Sequence, residues 1–166
     1  MKRFDSIRPY TDSEVQSVLQ ELSSNKDVVK AFISASKYSY LTKAPFSSLI
    51  VSKILQSKIK DIHTIKDYQS IFENLVSNMI DTKTSGFTCN GFENIEPHKA
   101  YLYISNHRDI SLDAALLNLS LNRAGHKTFN MAVGNNLMKE KWASDLMRLN
   151  KSFIIQRSGN KKEIYM

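Results

Sequence analysis

The alternation in the second half of the chain is what most restricts its fold. A β-prone run, Ala100-Tyr101-Leu102-Tyr103-Ile104, precedes apolar positions Leu112, Ala115, Leu116 and Leu119 at helical spacing, closed by Gly125. A second β-prone run near 127–133, a helical pattern near 136–148 and a third strand near 152–157 follow. Parallel strands need crossover connections of helical length, and those crossovers are right-handed. The order therefore predicts an α/β fold, with a parallel or mixed sheet and flanking helices.

Ahead of this lies a helical layer. Thr11-Asp12-Ser13-Glu14 has capping-box spacing, and Val15, Val18, Leu19 and Leu22 continue it at helical intervals, predicting a helix from about residue 11 to 23. A second apolar pattern runs through Val28, Val29, Phe32 and Ile33; a third starts at Pro45 and continues through Leu49, Ile50, Ile54 and Ile59. With Asp67 as its candidate N-cap, a fourth carries Tyr68, Ile71, Phe72, Leu75, Val76 and Met79, a stripe that needs another layer to cover it. Turn residues at Thr84-Ser85-Gly86 then give way to the β-prone Phe87-Thr88-Cys89 and the turn pair Asn90-Gly91. The expected organisation is a helical region over residues 1–84 and an α/β region over 85–166, together forming one compact unit.

A length of 166 residues with 42% hydrophobic content is enough for one core. The excess of 23 Lys and Arg over 16 Asp and Glu favours an anionic partner: a phosphorylated substrate, an acidic lipid surface or nucleic acid. A lone cysteine, Cys89, cannot form an internal disulfide and is expected in the core, which fits a reducing, cytoplasmic setting. No apolar stretch has the length of a signal peptide or membrane span, so contact with the inner face of the cell membrane would be peripheral.

Ligands of open parallel sheets bind beyond the carboxyl ends of the strands. Three polar clusters are expected there: residues 106–113, Gly134-Asn135-Asn136, and Gln156-Arg157. The first joins His107 to Asp109 and Asp113 at a helix start. A carboxylate can orient an imidazole whose other nitrogen takes a proton from a substrate hydroxyl. The same residues could also only cap the helix and hold its turn.

His107-Arg108-Asp109 also matches the start of a kinase catalytic loop, but position 114 is Ala where that loop needs Asn, and no Gly-rich loop or Asp-Phe-Gly accompanies it. Histidines 63, 98, 107 and 126 show no metal-ligand spacing, so no metal is expected. Basic residues do not interleave with aromatics, which disfavours single-stranded nucleic acid.

Gly91-Phe92-Glu93-Asn94-Ile95, then Ser105-Asn106-His107-Arg108-Asp109, then residues 146–157 ending in Phe153-Ile154-Ile155-Gln156-Arg157, resemble the lysophospholipid and glycerol-3-phosphate acyltransferase superfamily, in particular a bacterial Asn-His-Arg-Asp branch. The resemblance spans about residues 87–157. It implies transfer of a fatty acyl group from acyl-CoA or acyl-carrier protein, as co-substrate rather than cofactor, to a glycerol-phosphate or lysophospholipid hydroxyl in phospholipid biosynthesis. His107 would be the base.

The family's Asp falls five residues after its His, where this chain has Leu112; Asp113 is its counterpart with one residue inserted, and Asp109 is the alternative. Arg157 would bind the acceptor's phosphate, with Arg108, Asn106 and Asn135 as further substrate contacts, and an anionic membrane surface would be the docking partner. No Glu-Gly pair, the family's next motif, follows Arg157, so the chain is expected to be the N-terminal part of a longer enzyme. The alternative is a catalytically incomplete fragment or basic binding module for anionic membrane or nucleic acid.

Overall fold

The computed structural model describes residues 4–35, 47–106, 108–109 and 112–157. The chain divides into two compact units, Met1–Tyr68 with Ala132–Met166, and Gln69–Met131.

In the first unit, helix α1 (Asp12–Ser24) begins with the expected capping box, in which Glu14 accepts the Thr11 N–H at 2.8 Å. Val15, Val18, Leu19 and Leu22 are buried, as their spacing requires. Asn25 starts α2 (Lys26–Ala35) by accepting the N–H groups of Asp27 and Val28 at 2.9 and 3.2 Å. Val29 and Ile33 of α2 pack with Val51 of α3 (Ser47–Lys58), flanked by Leu55. The Pro45 helix start lies outside the described residues. Gln16 ties α1 to the turn after α3, donating to the Ile59 and Ile62 carbonyls at 2.9 and 2.6 Å.

Helix α4 (Ile65–Lys83) starts two residues before the expected N-cap. Thr64 caps it, and Asp67 is the third helical residue of a reciprocal box: Asp67 N–H donates to Thr64 Oγ1 at 3.1 Å, and the Asp67 carboxylate accepts Thr64 N–H at 2.9 Å. That hydrogen bonding, led by the Thr64 side chain, holds the Asp67 carboxyl below its ordinary range. Threonine one turn earlier outcompeted Asp67 because the Asp can serve the box from its far end.

The unit's two strands, β1 (Met131–Gly134) and β2 (Ser152–Ile155), form a parallel pair. Their crossover is a 3₁₀ turn (Asn135–Leu137) followed by α6 (Lys141–Leu149), so the helical pattern read near 136–148 splits in two. Leu149 is completely buried, which contributes about 2 kcal/mol of apolar transfer.

The second unit holds the rest of α4 and helix α5 (Leu112–Arg123). Gly125 ends α5 with φ +79°, giving a Schellman cap: Gly125 N–H donates to Asn122 O at 2.9 Å and His126 N–H to Leu121 O at 2.8 Å. Leu119 and Leu121 are buried, while Arg123 donates to Ser77 at 3.0 Å and Asn122 bonds Glu73, joining α5 to α4. Tyr103 packs on Phe129 with ring centroids 5.6 Å apart.

Three expectations fail in this unit. The run near 100–105 forms no strand: among the described residues it has no ladder partner, and Leu102 and Ile104 are 85% and 87% exposed. β-Propensity reports fitness for a pleated, packed surface and cannot form a strand without a neighbour. Residues 87–89 likewise form no strand, and Cys89 is exposed rather than in the core. The stripe of α4 is only partly covered, with Ile71 and Leu75 exposed and Ile80 buried.

Candidate active site

Asp113, the second residue of α5, turns its carboxylate back along the chain. Its Oδ2 accepts the N–H groups of Arg108 and Asp109 at 2.7 and 2.9 Å. Asp109 Oδ1 in turn accepts the Leu112 N–H at 2.7 Å, helping to start α5. Both acids sit where the helix dipole favours negative charge. His107, which immediately precedes the segment that Asp113 grips, lies outside the described residues. Arg108, Asp109 and Asn106 are exposed and Asp113 is half-buried, and no polar partner of the Arg108 and Asn106 side chains occurs among the described residues.

Arg157 and Asn135 belong to the other unit, at the carboxyl ends of β2 and β1. They are in direct contact: Arg157 N–H donates to Asn135 Oδ1 at 3.0 Å, and Asn135 Nδ2 donates to Gln156 Oε1 at 2.5 Å. Parallel pairing of β1 with β2 brings the two strand ends side by side. Among the described residues Arg157 has no acidic partner.

Charged residues of α6, at and just before the 146–157 stretch, are put to another use. Asp145 and Arg148, one helical turn apart on α6, are both buried. Tyr10 donates its hydroxyl to Asp145 at 2.6 Å, and Arg148 donates to that hydroxyl at 3.1 Å while its guanidinium carbon lies 4.0 Å from the Tyr10 ring centre. Partial burial, then the bond to Asp145, pushes the Tyr10 phenol up to about 12. Arg148 also donates to the Arg8 and Asp5 carbonyls at 2.7 and 2.5 Å, and Lys141 bridges Asp145 and Glu21 at 2.8 and 2.7 Å. Hydrogen bonds to both acids raise the Lys141 ammonium above its ordinary range. This network fastens the N-terminal segment to α6. The sequence offered one sign of it, an acid and a base at helical spacing beside the apolar Leu149.

Residues 86–165 match the family described as Acyltransferase. This stretch, just under half of the chain, is similar to acyltransferase-family domains. The match is consistent with the lysophospholipid and glycerol-3-phosphate acyltransferase superfamily and supports a general acyltransferase function. Neither the curated proteins nor the solved structures contain a match. The acyltransferase match covers both His107 and Arg157, and among the described residues no helix is long and apolar enough to cross a membrane.

Proposed function

We propose that the domain moves a fatty acyl group from acyl-CoA or acyl-carrier protein to the hydroxyl of a glycerol-phosphate or lysophospholipid acceptor, in phospholipid biosynthesis. His107 takes the hydroxyl proton as the oxygen attacks the thioester carbonyl. The C–S bond breaks, the new ester C–O bond remains, and the thiolate leaves to be protonated. Asp113 orients His107, with Asp109 as the alternative. Arg157 binds the acceptor's phosphate, and Arg108, Asn106 and Asn135 are further contacts to the acceptor. The excess positive charge attracts the protein to the anionic inner face of the membrane.

One observation carries the reading: the Asp113 carboxylate grips the backbone of the two residues directly after His107. A carboxylate fixed to that segment supports an oriented imidazole, which a general base needs. The Arg157 guanidinium, without an acidic partner among the described residues, supports the phosphate assignment.

The test is thiol release from palmitoyl-CoA or palmitoyl-acyl-carrier protein with glycerol 3-phosphate or lysophosphatidate. Release that depends on the phosphorylated acceptor and yields the esterified product supports the reading. Absence of release, with salt-sensitive binding to RNA or to anionic vesicles instead, contradicts it and favours the basic binding module.

A further inference from the structure

Gly134 closes β1 with φ −70° and ψ 139°, a backbone conformation open to any residue. It is nevertheless buried, and what covers it is informative. A Cβ at this position would meet Asn136 Oδ1 first and then Nε and Cδ of Arg157, at 2.8 and 2.9 Å. The glycine leaves room for both side chains, and the stem of Arg157 lies against the backbone of β1's last residue. The next residue, Asn135, holds the same arginine by its backbone, accepting the Arg157 N–H at 3.0 Å and fixing Gln156 through its amide nitrogen.

We propose that Gly134 and Asn135 form a seat that positions Arg157, Gly134 by admitting the guanidinium stem and Asn135 by fixing the end of β2, so that the guanidinium presents its donors to a phosphate monoester. The inference rests on the assignment of Arg157 to the acceptor's phosphate. It gives Asn135 a positioning role, exercised through Arg157, and brings in Gly134, which had no assigned part. Planar two-point recognition of phosphate depends on orientation, so displacing the stem weakens binding while every donor remains.

The experiment is calorimetric binding of glycerol 3-phosphate and, separately, of a short-chain lysophosphatidate to the full chain and its variants. Arg157→Ala should weaken binding about tenfold or more, and Gly134→Ala and Asn135→Ala about tenfold each. Asn136→Ala should leave it unchanged. In the Arg157→Ala background, Gly134→Ala and Asn135→Ala should add nothing, because their effect passes through the missing side chain. The Arg157 Nε–H signal in NMR spectra should shift in Gly134→Ala without ligand.

Additive losses in the double variants, or native affinity in both Gly134→Ala and Asn135→Ala while Arg157→Ala binds weakly, overturn the seat alone. Native affinity in Arg157→Ala, or binding of neither ligand by the unsubstituted chain, overturns the phosphate assignment and the seat with it. Preference between the two ligands tells a free phosphate monoester from a lipid headgroup.

Discussion

At α6, Asp145 and Arg148 retain only 3% and 8% exposure, and their side chains are tied to Tyr10, Lys141 and the Asp5 and Arg8 carbonyls. At the start of α5, Asp109 and Arg108 are exposed, Asp113 is half-buried, and the acids bond backbone N–H groups. The two regions use the same residue types in or beside a helix, yet for different ends. Buried charges must be satisfied by the protein itself, because an unpaired one is costly, so the α6 cluster is an internal fastener. Charges left at the surface keep solvent, and ligands, within reach.

The largest expected effect lies in the fastener. Arg148→Met leaves the Tyr10 hydroxyl and two carbonyls without their donor and should cost about 3–5 kcal/mol in denaturant unfolding; a loss below about 1 kcal/mol would erase the contrast between the regions. Next comes the α5 turn: Asp113→Ala removes the acceptor of two N–H groups and should cost about 1–2 kcal/mol, with Asp109→Ala costing less. Turnover sharpens the assignment, since the larger drop identifies the partner of His107, expected to be Asp113.

Gly125→Ala, at φ +79°, should destabilise by about 1 kcal/mol. Ser152→Ala should have the opposite sign. The Ser152 hydroxyl is fully buried with no hydrogen-bond partner among the described residues, so its removal should stabilise by up to about 1 kcal/mol.

The smallest effect is electrostatic. The bond from Arg8 holds the Glu14 carboxyl down at about 2, against an ordinary 4.5. Because its folded value is depressed, this group adds stability above pH 4.5 that is lost as pH falls towards 2. Unfolding titrations of Glu14→Gln should be flatter in that window, and salt should narrow the difference.

Helix α1 was legible down to its capping box, because Thr11, Glu14 and the apolar positions are local signals. The end of α5 was equally so through Gly125. β1, α6 and β2 followed from the alternation, since a strand-helix-strand order has few solutions. Residues 100–105 misled because strand formation is decided by a neighbour that no local pattern contains. Cys89 misled for the same reason.

The sequence named Asp113 and Arg157 but not what they touch. The grip of Asp113 on residues 108 and 109 and the nesting of Arg157 on Gly134 are matters of register between segments up to 23 residues apart.

Acyl transfer from palmitoyl-CoA to a phosphorylated acceptor by the unsubstituted protein and by His107→Ala tests the central claim most directly. A general base accounts for about 10²–10⁴-fold in rate, so His107→Ala should lose that much turnover while its unfolding midpoint stays close to native. Equal turnover by the two proteins would contradict the assignment of His107 as the base.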